Sequence, residues 1–235
     1  VAHLPPAPSI LPELLSLLNK PDIDSSRVAT LLTYDPGLTA SVLRLCNSAL
    51  LGGARPAEDM QEALTRLGFR QVYQLVAAIS GARALTPAQV GYGMDQGELW
   101  QHSVMAAVAA QLIAQERGDD ESVAFTAALL HDIGKIVLSE FLEHKYAEII
   151  QETEASGHSM VETEKLLLGF DHAEVGGRLL ERWNLPPSLV ASVRYHHAPS
   201  DAGDHTRLAS MVYLGNLIAH SLGCTFGYQS FALQG

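Results

Sequence analysis

Apolar residues at helical spacing, separated by helix caps and helix breakers, recur along almost the whole chain. Asp35-Pro36 is a strong helix start, because the carboxylate can cap the first turn and proline fits the first helical position. Leu38, Val42 and Leu45 follow at the spacing of one helix face. No segment of useful length alternates apolar and polar residues as a half-buried strand does. These signals predict an all-α fold.

The helical segments are bounded by glycine, proline or capping side chains. They are expected at about residues 8–19, 24–32, 35–51, 57–67, 69–83, 95–117, 120–132, 136–156, 159–168, 172–183, 187–197 and 205–222. The helix over 95–117 carries larger apolar side chains one turn apart, which predicts that they form its buried stripe. These side chains are Trp100, Val104, Val108 and Leu112.

A stretch rich in helix breakers, from Thr86-Pro87 to Gly97, interrupts the series of helices. It predicts that the chain is divided into two helical lobes joined by a short connection. The predicted parts are an N-terminal helical lobe at 1–84, a linker at 85–97, a second helical lobe at 98–223 and a tail at 224–235.

Charge and composition exclude several classes of function. With 15 basic and 26 acidic residues the formal net charge is −11, and Lys and Arg are scattered singly. Because an acidic surface repels phosphate backbones, no direct nucleic-acid binding is expected. No apolar run approaches the roughly 20 residues of a membrane span, and the sequence does not start with a basic signal-peptide region. Cys46 and Cys224 do not indicate a disulfide scaffold. The chain is therefore expected to be cytoplasmic, with no membrane association.

Most of the ten histidines lie in the second half of the sequence. Each one alone fits a role in the core or at the surface, but several lie in apolar helices, where an unpaired imidazole costs free energy. His131 follows Ala-Ala-Leu-Leu and is expected to be buried. Imidazole and carboxylate are ligands for Zn, Fe and Mn. The candidate ligands are His102, His131, Asp132, His172, His196 and His197. The others, expected to be solvated or capping, are His3, His144, His158, His205 and His220.

Lys135 follows the His131-Asp132 pair closely and allows two interpretations. It could contact the phosphate of a substrate, or it could be a cation near a helix C-terminus, where positive charge is favourable. Gly134 supplies the helix stop between them. The residues alone leave both interpretations open.

Several motifs resemble known families. The run His131-Asp132-Ile-Gly-Lys135, with His102 upstream, is similar to the HD superfamily of metal-dependent phosphohydrolases. A more specific resemblance, over about residues 3–222, is to HDOD domains, which are relatives of that superfamily used as bacterial signal-output modules. In the second half it is carried by Phe170-Asp171-His172-Ala-Glu-Val-Gly176, Arg182-Trp183-Asn184-Leu185-Pro186 and Tyr195-His196-His197. In the first half it is carried by Leu4-Pro5-Pro6, Tyr34-Asp35-Pro36-Gly37-Leu38-Thr39-Ala40, Arg44-Leu45-Cys46-Asn47-Ser48-Ala49 and Ala63-Leu64-Thr65-Arg66-Leu67-Gly68.

The HDOD resemblance implies an all-α fold of two lobes, the second of them HD-like. It also implies regulatory work with protein signalling partners, often in a chain fused to a receiver or other sensory domain. Many members have lost catalytic ligands. By the HD pattern, His102, His131 and Asp132 would be metal ligands. The position of a final aspartate holds Asn216, a degenerate ligand position, because asparagine keeps a carbonyl oxygen but lacks the charge.

The remaining candidate ligands resemble a different branch of the superfamily. His172, His196 and His197 match the additional ligands of the binuclear HD-GYP phosphodiesterases. The residues after His197 lack the Gly-Tyr-Pro signature of those enzymes, so hydrolysis of cyclic di-GMP is not expected.

Two functions follow from the resemblance. The favoured one is a non-catalytic output module that acts through protein contacts, with the histidine cluster either empty or holding a structural metal ion. The alternative is a metal-dependent phosphohydrolase that acts on a nucleotide or cyclic dinucleotide. In that case Asp132 and Lys135 would take catalytic roles and the metal would generate hydroxide. The implied metal is Fe, Mn, Zn or Mg.

Overall fold

The computed structural model of the chain describes residues 10–18, 24–48, 55–145 and 158–224. These residues lie in helices, turns and short connections. Within these ranges there is no strand, and Gln89 and Met94 form an isolated bridge. The predicted all-α fold is therefore confirmed.

Contacts divide the chain into two compact units. The first covers the described residues up to Gly81, and the second covers those from Ala82 onward. The helices of the first unit are α1 (Ile10–Leu18), α2 (Ser25–Thr33), α3 (Pro36–Cys46), α4 (Met60–Leu67) and most of α5 (Phe69–Leu85). The boundary between the units lies inside α5, and the predicted lobe limits, with a linker at 85–97, stay a prediction.

Aspartates begin helices of the first unit, as their sequence pattern predicts. The side chain of Asp35 accepts a hydrogen bond of 2.9 Å from the backbone N–H of Leu38, and Pro36 takes the first position of α3. Asp24 accepts one of 3.0 Å from the backbone N–H of Ser26 at the start of α2. Each cap satisfies N–H groups that no helical carbonyl can reach. These helix starts therefore follow from local sequence.

The second unit contains the remaining helices. They are α6 (Glu98–Arg117), α7 (Glu121–Leu130), α8 (Gly134–Leu142), α9 (Met160–Leu168), α10 (His172–Arg182), α11 (Pro187–Arg194) and α12 (Thr206–Ser221), with short 3-10 turns at Val90–Tyr92, Glu143–Lys145 and Pro199–His205. Helix α6 packs against α7 and α12, while α10 packs against α8 and α11. This packing brings the end of α7 close to the starts of α8 and α10.

Gly134, the first residue of α8, allows two of these helices to approach closely. A Cβ atom at this position would collide with the backbone carbonyl of His172 and would lie 2.7 Å from the backbone nitrogen of Gly176. Backbone atoms inside packed helices cannot move aside without cost. The start of α8 therefore lies directly on the first turn of α10 because residue 134 has no side chain.

The buried face of α6 differs from the predicted stripe. Val108 and Leu112 are 41% and 55% exposed. The buried face instead includes His102 and a row of small residues, among them Ser103, Ala106, Ala107, Ala110 and Ala114. A Cβ atom added at Gly215 of α12 would lie 2.6 Å from the carbonyl oxygen of Ala106, so the two helices are in close contact. The predicted stripe was wrong because close helix packing, which needs small side chains, selects the buried face.

One apolar stretch, Glu121–Leu142, is long and apolar enough by composition to cross a membrane, but 83% of the 18 residues within it that meet this test are buried inside the fold. It comprises α7, the turn at 131–133 and α8, which form much of the core of the second unit. The predicted helix at 136–156 begins at Gly134 and continues to Leu142, followed by a 3-10 turn. The rest of that predicted helix lies outside the described residues.

Candidate metal centre

Five histidines and one aspartate from separate parts of the second unit converge in its interior. His102 lies on α6, His131 and Asp132 in the turn after α7, His172 at the start of α10, and His196 and His197 just after α11. All are buried except His197, which is half-buried. The ring centroids of His131 and His196 are 4.9 Å apart, and those of His172 and His196 are 5.5 Å apart. The structure brings all six predicted ligands together, and their role as ligands stays a prediction.

The candidate ligand atoms form two groups, each with its atoms within 4.8 Å of one another. The first group is His102, His131 and Asp132, and the second group is His172, His196 and His197. The Asp132 carboxylate lies between them. Its Oδ2 atom is 3.3 Å from Nε2 of His131, and its Oδ1 atom is 3.2 Å from Nε2 of His172. One carboxylate therefore offers an oxygen to each group.

Backbone carbonyls orient three of the imidazoles. Nδ1 of His102 lies 2.8 Å from the carbonyl oxygen of Cys224. Nδ1 of His131 lies 2.7 Å from the carbonyl oxygen of Ala128, and Nδ1 of His196 lies 2.7 Å from that of Val193. A carbonyl oxygen can only accept a hydrogen bond, so Nδ1 of each of these rings must carry the proton. The Nε2 atom of each ring then presents a lone pair to the centre, which is the form that binds a metal ion.

These lone pairs fit a cation better than they fit one another. The Nε2 atoms of His102 and His131 are 3.3 Å apart, and because both are acceptors they cannot share a hydrogen bond. The Nε2 atom of His196 is buried and has no hydrogen-bond partner among the described residues. Converging acceptors of this kind, together with one carboxylate, are the donor set of a metal site built from imidazoles. The residues present therefore fit the predicted divalent ion.

The environment keeps most of these imidazoles neutral and Asp132 ionised. Burial lowers the pKa of His102 to about 3, and burial also lowers the pKa of His196 well below its usual range. Burial opposes the ionisation of Asp132, but the neighbouring His131 and Lys135 hold the pKa of its carboxyl well below the usual range. Neutral imidazole and ionised carboxylate are the forms that coordinate a metal.

Lys135 is part of the centre. Its Nζ atom donates a hydrogen bond of 2.6 Å to Oδ2 of Asp132, and neither side chain exposes more than 2% of its surface. The same Nζ atom lies 5.9 Å from the ring centroid of Tyr92. Lys135 lies in the first turn of α8, and its partner is a carboxylate rather than the carbonyls of a helix C-terminus. A contact between Lys135 and a substrate phosphate stays a prediction.

Glu164, on α9, is a further buried carboxylate that sequence reasoning missed. Its Oε2 atom accepts hydrogen bonds from the backbone N–H and from Nδ1 of His172, at 2.7 and 2.8 Å. Its Oε1 atom accepts one of 2.7 Å from the Tyr92 hydroxyl. Burial lowers the pKa of His172, but Glu164 and Asp132 together raise it to about 9. Glu164 resembles the exposed Glu162 in sequence, so no local pattern distinguishes the two.

A comparison of the sequence with known families confirms the resemblance. The sequence profile of the HDOD domain matches residues 4–199, which is most of the chain. The chain belongs to the HDOD family. The centre therefore occupies the HD-like part of an HDOD protein.

Proteins similar to this HDOD chain have names from both signal transduction and hydrolysis. The solved structure of a candidate phosphohydrolase from Shewanella amazonensis SB2B matches this chain with a TM-score of 0.75 and 30% sequence identity. The match covers 98% of this chain and 83% of that one. A candidate signal transduction protein from Marinobacter aquaeolei VT8 is 27% identical with a TM-score of 0.76, over 95% of this chain and 51% of that one. An uncharacterised protein from Treponema pallidum (strain Nichols) is 28% identical over 92% of this chain. The HDOD chain spans 42% of that curated relative.

Helix α12 packs against α6 of the HDOD chain and carries two further polar residues of interest. Asn216 is buried, and its Oδ1 atom has no hydrogen-bond partner in the part of the chain that the structure describes. His220, expected to be solvated or capping, is half-buried: its ring centroid is 4.7 Å from that of His102, and burial lowers its pKa to about 4. His220 lies one helical turn after Asn216, and this spacing could have identified it from the sequence. His158 and His205 are half-buried, while His3 and the His144 side chain lie outside the described residues.

Proposed function

We propose that this HDOD chain is a bacterial signal-transduction output module that acts through protein contacts and contains a buried metal centre without phosphohydrolase turnover. The burial of most of the centre carries this proposal, since His197 alone among its six predicted ligands is half-buried. Asp132 and Lys135 are almost completely buried and pair with each other. Lys135, the cation predicted to contact a substrate phosphate, is thus already paired with the Asp132 carboxylate.

The donor set favours some of the predicted metals over others. Imidazole nitrogens suit Zn and Fe, whereas Mg prefers oxygen ligands, so Mg fits this centre least well. The first and second groups would hold the metal, with Asp132 shared between them. A bound divalent ion would supply concentrated positive charge, which can acidify a water molecule. In a largely buried centre, the ligands themselves tie α6, α10 and the turn after α7 together, and this stabilises the second unit.

Asn216 also disfavours catalysis. It takes the position where the HD resemblance implies an aspartate, and its buried Oδ1 atom finds no hydrogen-bond partner within the described ranges. The first group therefore has one carboxylate, Asp132, whose Oδ2 atom already accepts from Lys135. A site with so little negative charge holds a metal ion weakly and activates water poorly.

Exposed apolar side chains support a protein as the partner. Leu214, Leu217 and Ile218 are exposed and lie on one side of α12 by their spacing. Val108 and Leu112 are exposed on α6, which packs against α12. The net charge of −11 argues against nucleic acid. We place the module in the cytoplasm, where its partner would be a signalling protein or a fused receiver or sensory domain.

Turnover by the metal-loaded chain tests this function. Protein purified without chelators and loaded with Mn or Fe would be incubated with cyclic dinucleotides and mononucleotides, with Asp132→Ala in parallel. We expect no metal-dependent turnover above that of the variant. Robust turnover that Asp132→Ala abolishes would overturn the signalling proposal.

A metal-dependent phosphohydrolase is the second candidate. The position of Asp132 supports it, because one carboxylate faces both histidine groups as it would between two metal ions. The name of the similar Shewanella protein supports it as well. The substrate would be a nucleotide or cyclic dinucleotide. Lys135 would have to leave Asp132 before it could contact the phosphate.

A further inference from the structure

We infer that Glu164 is a positioning residue that makes the second group, His172, His196 and His197, the tighter of the two metal sites. This inference rests on the proposed metal centre but not on whether the chain is catalytic. Glu164 is 1% exposed and would not touch the metal. It acts through His172, which it holds by the backbone N–H and by Nδ1.

The hydrogen bonds of Glu164 fix the direction of the His172 ring. Its Oε2 atom accepts from two atoms of the same residue, so the backbone and the imidazole of His172 are held together. The Tyr92 hydroxyl donates to Oε1 and prevents the carboxylate from rotating away. With Nδ1 engaged, Nε2 of His172 points to Oδ1 of Asp132, at 3.2 Å. The ligand atom is therefore already in place before a metal arrives.

Among the residues that the structure describes, the first group has no equivalent anion behind its imidazoles. Nδ1 of His102 and Nδ1 of His131 are held by neutral backbone carbonyls. A carboxylate on Nδ1 increases the basicity of the opposite nitrogen more than a carbonyl does. His172 is thus the one imidazole of the described centre whose Nδ1 is backed by a carboxylate, and we expect it to be the strongest nitrogen donor.

The charges around Asp132 also favour the second group as the tighter metal site. Its Oδ2 atom, on the side of the first group, accepts from the Lys135 ammonium at 2.6 Å. Its Oδ1 atom faces His172 and is 3.9 Å from Nε2 of His196. A cation at the first group would meet the positive charge of Lys135. A cation at the second group would face Oδ1 of Asp132, the oxygen that Lys135 does not contact. It would also face His172, whose Nδ1 donates to Glu164.

The test is a titration of metal-free protein with Zn²⁺ or Co²⁺, followed by calorimetry and, for Co²⁺, by its visible spectrum. Glu164→Gln keeps the volume and removes the charge, and we expect it to weaken the tighter binding step about 10–100-fold. Glu162→Gln is the matched control, because Glu162 is an exposed residue of the same helix, and it should leave that step unchanged. Tyr92→Phe should weaken the step less than Glu164→Gln and should shift the Co²⁺ spectrum.

The location of the tighter step is tested separately. His197→Ala should remove the first equivalent of bound metal, whereas His102→Ala should retain it. If Glu164→Gln binds the first equivalent as tightly as the natural chain, or if His102→Ala removes it, the inference is wrong while the metal centre stands. If Glu164→Gln does not fold, Tyr92→Phe replaces it in the titration, and unchanged affinity of the tighter step in that variant would contradict the inference. If the natural chain binds neither ion, the metal centre and this inference fail together, whatever the turnover assay shows.

Discussion

Nζ of Lys135 lies 2.6 Å from Oδ2 of Asp132 in the interior of the second unit, where neither side chain exposes more than 2% of its surface. A buried pair of this kind adds little net stability, but removal of one partner leaves an uncompensated charge. In the metal-free chain, Lys135 therefore supplies the positive charge that a metal ion would supply to Asp132. This relationship leads to the first prediction.

Lys135→Met should destabilise the metal-free protein by about 3–5 kcal/mol, because it leaves the Asp132 carboxylate buried and unpaired. Addition of Zn²⁺ should restore much of this loss, since the ion takes over the charge balance. Urea unfolding with and without metal measures both effects. Arg178→Met is the control: Arg178 forms an exposed ion pair with Glu174, and its removal should cost less than about 1 kcal/mol. A metal-free Lys135→Met protein as stable as the natural chain would contradict the prediction.

The stability of the metal-free protein should be highest near pH 6.5 and fall on both sides. The folded pKa of His102 is lowered to about 3, so its contribution is present above pH 6.5 and is lost as the pH falls toward 3. The folded pKa of His172 is raised to about 9, so its contribution is present below pH 6.5 and is lost as the pH rises through 9. Each group changes the free energy of unfolding by about 1.4 kcal/mol per pH unit within its window.

Urea unfolding between pH 4.5 and 9.5 would measure this profile. His172→Gln should flatten the alkaline side and leave the acidic side in place. A free energy of unfolding that does not change between pH 6.5 and 9 in the metal-free natural chain would contradict the assigned role of His172.

Gly134→Ala should separate α8 from α10 and lower stability by about 1–3 kcal/mol, because the new methyl group meets backbone atoms of His172 and Gly176. Metal affinity should fall as well, since Asp132 and His172 lie on the two sides of this contact. Gly176→Ala is a milder comparison, because its Cβ would lie 3.0 Å from a side-chain atom of Val193. Thermal unfolding and metal titration of both variants measure the losses of stability and of metal affinity. A larger loss for Gly176→Ala than for Gly134→Ala would contradict the prediction.

Asn216→Asp should strengthen the weaker metal-binding step for Mn or Fe by about 10–100-fold, because it adds the charge that this buried position lacks. Without metal the same variant should be less stable than the natural chain, since the new carboxylate would be buried without a partner. Calorimetric titration and urea unfolding measure the two effects. Unchanged affinity would show that residue 216 does not face the metal.

The helices could be found from sequence because their causes are local, whereas the candidate metal ligands were predicted from the resemblance to the HD motifs. Asp35 caps α3 by reaching an N–H three residues ahead, and the adjacent Pro36 fits the first turn. His131 and Asp132 stay together in the centre because they are neighbours in one short turn. Such short-range relationships survive in any sequence that keeps the motif.

Tertiary structure decided the features that depend on distant residues. The small face of α6 is buried because α12 approaches it closely at Gly215, although larger side chains lie elsewhere on the same helix. Glu164 lies 72 residues from Tyr92 in sequence, yet their side chains share a hydrogen bond of 2.7 Å. The cost of burying that carboxylate is met by partners from other elements. A pattern within one helix therefore cannot show that Glu164, and not the nearby Glu162, supports the centre.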